Sequence, residues 1–335
     1  MKKILFILLF LFCIKVNASI VVMDAESKRV LYSKNMNEQK LIASTTKIMT
    51  SIIALENGNL DDEYVVGNEI DNIYGSMTYI KKNEKFKLND LLHGLMLQSG
   101  NDAAMVISNN TLKYEDFIAQ MNLKAYSIGM YNTSFENPHG LNDDTKNYST
   151  AYDMALLMRY AIKNKDFLRI TQAKKYKVKN YIWYNKNKLL TDYKYLISGK
   201  IGYTKLSGQV FVSAAKKNNK TLIIVTINEN DKFNLHKNLY NKYFSLYDRY
   251  KILDKNTFSF KVKNNNYDHY YIKNDFYMLL MKEEIDDLNI KVNLSDNYNY
   301  VNIYLNDKLL NTVKIYKLSY KQRNNKVKSL LSFFK

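Results

Sequence analysis

Two patterns in this 335-residue sequence predict an α/β domain followed by a small all-β module. Strand-like runs open and close the chain up to about Tyr250, with helix-period runs between them, and one sheet needs strands from both ends. From Lys255 onward the apolar residues recur mostly at period two, as in TFSFKV, LNIKVNL and YVNIYL. A chain of this length ordinarily divides into one large domain and a smaller one. We place the α/β domain over 19–252, the β-rich module over 253–318 and a separate tail over 319–335.

The chain opens with MKKILFILLFLFCIKVNAS, two lysines ahead of an apolar run from Ile4 to Ile14, then Val16 and Ala18 at the small-residue positions of a cleavage point. This reads as a secretory signal peptide over 1–18, the run being short for a membrane span. The mature protein is therefore expected beyond the cytoplasmic membrane, on an extracellular or periplasmic face. Cys13, the only cysteine, falls inside the leader and lacks the small neighbour of a lipoprotein box. No disulfide and no thiolate metal site is expected. His93, His139, His236 and His269 show no ligand spacing, so the chemistry should need neither metal nor cofactor.

After the leader, SIVVMDAESKRVLYSK reads as two strands, Ile20–Met23 and Arg29–Tyr32, around a polar turn. Ile48, Met49, Ile52, Ile53 and Leu55 make one helical face, and Leu88, Leu91, Leu92, Leu95 and Met96 a second. Thr150 with Asp153 starts a third helix, carrying Met154, Leu157, Met158, Ala161 and Ile162 at helical spacing. Val210 and Val212, a turn at Asn218–Asn219 and the run Leu222–Ile227 then return to strand. Leu235, Leu239, Tyr243 and Leu246 close the domain with a helix. In the module, Asn306 and Asp307 form a hairpin turn. The tail places Val327, Leu330, Leu331 and Phe334 on one helical face, with five basic and no acidic side chains from Lys321 onward. That pattern suits the membrane surface, or else is a frayed basic terminus.

A formal net charge of +18 suggests an anionic partner such as membrane lipid or wall polymer. Lysine, asparagine, isoleucine and tyrosine are nevertheless abundant along the whole chain, so the charge also reads as even compositional drift. With a secretory leader, nucleic acid is the least suitable partner.

Three short stretches carry chemistry. In LIASTTKIMT, Ser44 and Lys47 are three apart at a helix start, so they share a face and the lysine lies beside the hydroxyl. A serine hydroxyl needs a base within reach, and a lysine serves only when burial or a neighbouring cation keeps it neutral. The same spacing at Ser213 and Lys216 falls in a strand, where residues three apart point to opposite faces. In LQSGNDAAM, Ser99, Gly100 and Asn101 interrupt a helical pattern and present a hydroxyl and an amide to a cleft, unless they form only an ordinary turn and cap. Ser108 lies inside the following helix, and Ser295 comes in the wrong region. In SGKIGYTKLSG, Gly199 and Gly202 flank Lys200 at a strand start, where missing side chains admit a substrate backbone and the lysine offers a fixed cation to a carboxylate.

The order serine-x-x-lysine, serine-x-asparagine, lysine-x-glycine matches the active-site set of penicillin-recognising serine enzymes. IASTTKIMT, DLLHGLMLQSGNDAA, IGMYNTSFENPHGLND, STAYDMA and GKIGYT resemble segments of the D-alanyl-D-alanine carboxypeptidases of low-molecular-mass penicillin-binding type, serine peptidases of the S11 type, from about Ile20 to Asn230. The resemblance implies a β-lactamase/transpeptidase-like domain, an antiparallel sheet with a helical cluster, and the β module and tail resemble that family's accessory domain and membrane-attachment helix in arrangement. It implies that Ser44 forms an acyl-enzyme, Lys47 takes its proton, and Ser99 relays a proton to the leaving amine. Asn101 would hold the substrate amide and Lys200 the terminal carboxylate, with Gly202, Tyr203 and Thr204 lining the substrate. The oxyanion would rest on the backbone N–H groups of Ser44 and Tyr203. The substrate would be the pentapeptide stem of peptidoglycan, and β-lactams covalent inhibitors.

Ile201 departs from the family's usual threonine, and loss of one hydrogen bond to a carboxylate would weaken binding by roughly 1.5 to 3 kcal/mol. Thr204 is the candidate to replace it. Pro138 and His139 read as structural turn residues without a catalytic role. Other readings are a peptidoglycan-binding protein of the same fold with weakened catalysis, a D,D-endopeptidase, and a β-lactamase, the last disfavoured because the surroundings of Glu136 do not resemble the loop that would activate water.

Overall fold

A computed structural model describes residues 18–263, 267–295 and 298–318. The leader, apart from Ala18, and the tail over 319–335 lie outside the described residues.

The strands of both chain ends meet in one antiparallel sheet, ordered Val30–Lys34, Ser19–Asp24, Lys220–Ile227, Gly208–Lys217, Leu196–Thr204. Ser19–Asp24 is buried along its whole length, which is why SIVVMD is apolar on both faces. Alternation then divides the core in two. Val21, Met23, Val212, Ile223 and Val225 face a helical cluster that includes Ile48, Ile52, Leu91, Ala103, Met154 and Leu157. Val22, Phe211, Leu222 and Ile224 face the opposite way, toward Tyr240, Tyr243 and Phe244 of the helix Lys232–Leu246. The result is a sheet sandwiched between helices.

The helix Lys47–Asn57 follows a tight turn of helix over Ala43–Thr46, and Ala151–Ala161 starts where Thr150 Oγ1 accepts the Asp153 N–H at 3.0 Å. The last helix differs from expectation in its face. Leu246 is 46% exposed, whereas His236 and Tyr240 are fully buried, because Ser213 Oγ on the sheet pairs with His236 Nδ1 at 2.8 Å and with the Tyr240 hydroxyl at 2.7 Å. The polar rings of this face are thus core residues with satisfied partners. Ser213 is spent in that network, and its strand sends Lys216 to the surface.

Several elements go beyond the sequence reading. Glu63–Val65 pairs with Lys85–Lys87 and Lys175–Val178 with Tyr181–Tyr184, runs too short to establish a period. The helix Tyr114–Ser127 buries only Phe117, Met121 and Ala125, a stripe too narrow to stand out.

The module consists of two three-stranded sheets and one strand pair around Leu253, Tyr270, Met278, Leu280, Val301, Ile303 and Ile315. Its hairpin turn is at Asn306–Asp307, both with positive φ, 47° and 62°, as a two-residue hairpin demands. The expected junction at 252/253 falls inside the strand Asp248–Leu253, which pairs with Phe276–Leu280 in the module. Arg29 joins the two parts: buried, it donates to Leu279 O at 2.8 Å and to both carboxylate oxygens of Glu284. Among the described residues, no helix is long and apolar enough to cross a membrane.

Candidate active site

Ser44 sits half-buried in the turn Ala43–Thr46, three residues ahead of Lys47, which is fully buried. Lys47 Nζ is 3.0 Å from Ser44 Oγ, 2.7 Å from Asn101 Oδ1 and 2.7 Å from the His139 carbonyl. A neutral amine has two N–H donors and one lone pair. With Asn101 Oδ1 and the His139 carbonyl accepting the two donors, the lone pair is left facing the serine hydroxyl. Burial, and then the positive charge of Lys200, hold the Lys47 ammonium well below its ordinary pKa, while Asp102 opposes them. Its environment therefore favours the neutral form that a base requires.

The second lysine is placed by the sheet. Lys200 lies on the edge strand Leu196–Thr204, buried, and donates to Ser99 Oγ at 2.9 Å and to the Ile201 carbonyl at 2.9 Å. Two of its three ammonium donors are engaged, leaving one for an incoming anion. Burial, reinforced by the Lys186 charge, lowers its pKa to about 7.

Ser99 and Asn101 join the two pairs. The helix Leu88–His93 widens over Gly94–Gln98, and Ser99 turns into the left-handed region at φ 64° before the helix Asn101–Thr111 begins. Ala43, at the start of the turn that carries Ser44, also has a positive φ, 46°. Non-glycine residues in this region cost roughly 1–3 kcal/mol each and persist where surrounding structure imposes them. Just beyond Ser99, the buried Asp102 carboxylate ties the start of the next helix to a neighbouring loop, accepting the Thr78 N–H at 2.9 Å, the Tyr79 N–H at 2.8 Å and the Ala103 N–H at 2.8 Å.

The expected site residues are brought together, with some differences of detail. Ser44, Lys47 and Asn101 form one hydrogen-bonded group, Ser99 and Lys200 another. The Gly202 backbone passes so close to the turn carrying Ser44 that a Cβ there would stand 3.0 Å from Ser44 N and 3.1 Å from Thr45 N. Asn101 is largely used inside the protein: its Oδ1 accepts from Lys47 and its Nδ2 donates to the Tyr74 carbonyl at 2.6 Å, which leaves one N–H for a substrate. Tyr203 is 60% exposed. The Thr204 hydroxyl is engaged with Ser207 in the turn that follows, 2.9 Å from its Oγ and accepting its N–H. Ile201 points away from the cleft, half-buried against the cluster that contains Phe211. A threonine Cβ would leave the strand in the same direction.

Four contributors were missed from the sequence. The His139 carbonyl anchors Lys47, although His139 itself reads as a turn residue; burial, then the Lys47 charge, holds its imidazole neutral, with the pKa down at about 3. Gly140 has φ +89° and passes so near Ala43 that a Cβ would meet its carbonyl oxygen at 2.0 Å, which only glycine avoids. Asp102 and Lys186 complete the electrostatics. NPHGL held the signal: Asn137 Oδ1 accepts the His139 and Gly140 N–H groups at 3.2 and 2.6 Å, an Asx turn ending in glycine. Among the described residues, no group of histidine, cysteine or carboxylate side chains is suited to a metal ion.

A family model described as D-alanyl-D-alanine carboxypeptidase matches residues 14–231. The chain is 33% identical over 224 residues to D-alanyl-D-alanine carboxypeptidase DacF of Bacillus subtilis, covering 62% of this chain and 56% of that one. The chain thus spans little more than half the length of that relative. It is 34% identical over 238 residues to a D-alanyl-D-alanine endopeptidase of Haemophilus influenzae, covering 68% of this chain and 80% of the other. Penicillin binding protein 5 from Haemophilus influenzae has a similar fold, with a TM-score of 0.76 over 90% of this chain and 96% of that one at 23% identity. That coverage reaches past the family match into the β-rich module.

Proposed function

This chain belongs to the D-alanyl-D-alanine carboxypeptidase family, and from that premise we propose that it is a serine carboxypeptidase removing the terminal D-alanine from peptidoglycan pentapeptide stems. The observation that carries the proposal is the setting of Lys47, whose two anchored donors leave its lone pair 3.0 Å from Ser44 Oγ.

Ser44 Oγ attacks the carbonyl of the penultimate D-alanine while its proton passes to Lys47 Nζ. The developing oxyanion is held by the backbone N–H groups of Ser44 and Tyr203, a term commonly worth about 3–4 kcal/mol per donor. Lys200 carries the terminal carboxylate on its remaining N–H, and Ser99, hydrogen-bonded to Lys200, relays the proton held by Lys47 to the departing amine, which returns Lys47 to its neutral form and leaves Ser99 protonated. The remaining N–H of Asn101 is available to the substrate amide. Water then hydrolyses the ester on Ser44, with Lys47 as base again. Penicillins would acylate the same oxygen. The leader read over 1–18 accords with action on the outer side of the cytoplasmic membrane, and the tail over 319–335 with attachment to its surface.

A second reading, cleavage of cross-links as a D,D-endopeptidase, is favoured by the Haemophilus influenzae relative of that name. It uses the same atoms. A protein that only binds peptidoglycan is less well supported, because the base, its anchors and the carboxylate-binding lysine are all in register and Ile201 lies outside the cleft. Incubation with defined muropeptides separates the readings. Free D-alanine from pentapeptide stems supports the carboxypeptidase, cleaved dimers support the endopeptidase, and binding without either product rejects both.

A further inference from the structure

We propose that a concave, cationic pocket at the end of the sheet remote from Ser44 is a second binding site, for a phosphate monoester or diester. The pocket, of about 380 Å³, lies between the C-terminal end of the helix Ala151–Ala161, the hairpin of the strands Gly208–Lys217 and Lys220–Ile227, and the start of the module. That size suits a small ligand. Val210 pairs with Gly202 beside the nucleophile turn, and Lys216 lies six residues further along the strand, roughly 20 Å away at strand rise.

Cations from separate elements converge there. Arg159 is fixed by donating from Nε to Ala25 O at 2.7 Å and from Nη2 to Glu26 O at 3.0 Å, which leaves Nη1 without a protein acceptor among the described residues. Lys163 and Lys216 line the pocket, with Asn219 and Thr221 as further polar groups. Lys28, on the turn after the first strand, is near enough that its charge and that of Arg159 both depress Lys163 after burial has done so. None of Lys28, Lys163 and Lys216 has an ion-pair partner among the described residues. The lining carboxylate, Glu26, is taken by a bidentate pair with Arg249 at 2.7 and 2.8 Å, and Asp24 is buried behind the turn on Ser27 and Leu279.

Cations at a helix C-terminus are ordinary, because the helix dipole favours them. That explains Arg159 and Lys163 but not Lys28 and Lys216, which come from a turn and a strand end. The buried Asp24 carboxylate favours the charged form of Arg159 and Glu26 is held by Arg249, but the cluster keeps an excess of positive charge, which costs stability and which a bound anion would offset. Arginine pairs with carboxylates and phosphates alike, but cations converging from a helix, a turn and a strand end can engage the several oxygens of a tetrahedral phosphate at once, where a carboxylate offers only two.

Calorimetric titration of the full chain with inorganic phosphate, at ionic strength held constant with chloride, tests the site. Saturable one-site binding is expected, unchanged in Ser44→Ala and weakened at least tenfold in the Lys163→Glu, Lys216→Glu double variant, with D-alanine release retained. Lys163→Gln alone should weaken binding less, and provides the reading if the double variant does not fold. Displacement of phosphate by soluble glycerophosphate supports a free or polymer-borne ligand, and displacement by phosphatidylglycerol vesicles alone supports a lipid headgroup. Absence of saturable binding, equal binding in the lysine variants, or loss of binding in Ser44→Ala would overturn the proposal.

Discussion

Raising the pH through neutrality should disarm substrate binding while leaving the base of the nucleophile in its working, neutral form. Lys200 is expected to hold the terminal carboxylate as an ammonium, yet burial, with Lys186 nearby, brings its pKa down to about 7. Because kcat/KM reports the ionisations of the free enzyme, it should fall about tenfold per pH unit above that value, or about a hundredfold by pH 9. The limb should appear in KM more than in kcat, since a bound carboxylate favours the charged lysine. Lys47 must instead be neutral, so its depressed pKa sets the acid limb, on the low side of the ordinary lysine range. The assay is D-alanine release from a peptide ending in D-Ala-D-Ala between pH 5 and 10. Lys200→Arg, whose guanidinium keeps its charge, should abolish the alkaline limb. Lys186→Gln removes a neighbouring like charge and should move that limb to higher pH, a test that holds even if arginine packs badly. A profile flat from pH 6 to 9, or an unchanged limb in both variants, would refute the reasoning. The same titration couples to stability: an unfolded lysine keeps its proton to about 10.5 and the folded one releases it near 7. The unfolded state therefore binds more protons between these values, stability rises with pH across that window, and below it the buried charge exerts its full penalty.

Three substitutions probe the supporting structure. Gly202→Ala puts a methyl 3.0 Å from Ser44 N; it should lower kcat about 10- to 100-fold in steady-state assays, with a stability loss of about 1–3 kcal/mol by urea unfolding. Asp102→Asn replaces an acceptor of three backbone N–H groups and should destabilise by about 1–3 kcal/mol. It also removes the charge that favours protonated Lys47, so the acid limb should shift to lower pH. Ile201→Thr should leave kcat/KM within about threefold, because the side chain packs outside the cleft; a rise of tenfold or more would show that the missing hydroxyl does limit binding.

The legible part of the site was the part carried by local geometry. Ser44 and Lys47 share a turn of helix, so their spacing, once the segment was read as a helix start, set the lysine beside the hydroxyl, and the break at Ser99–Asn101 was visible as small polar residues inside an apolar pattern. Lys200 could be paired with Ser99 only through motif order, since their contact depends on how the edge strand packs beside the helices. The His139 carbonyl that anchors Lys47 and the Tyr74 carbonyl that anchors Asn101 were invisible for a different reason: they belong to the backbone, and no side chain announces them. Ile201 misled because a strand's alternation, not residue type, decides which positions face the cleft. In the fold, two-sided burial made the central strands plain, while three- and four-residue hairpins such as Glu63–Val65 with Lys85–Lys87 carry too few residues to show a period. The buried face of the last helix was not legible because the polarity of His236 and Tyr240 is satisfied by Ser213 and Thr226, on other elements.

Intact-mass measurement after exposure to a penicillin addresses most directly whether an amine kept neutral by burial activates its neighbouring hydroxyl. One penicilloyl mass should be gained by the wild type, mapped to the peptide containing Ser44, gained far more slowly by Lys47→Arg, and not gained at all by Ser44→Ala. An adduct that persists in Ser44→Ala, or that forms at an undiminished rate in Lys47→Arg, would contradict it.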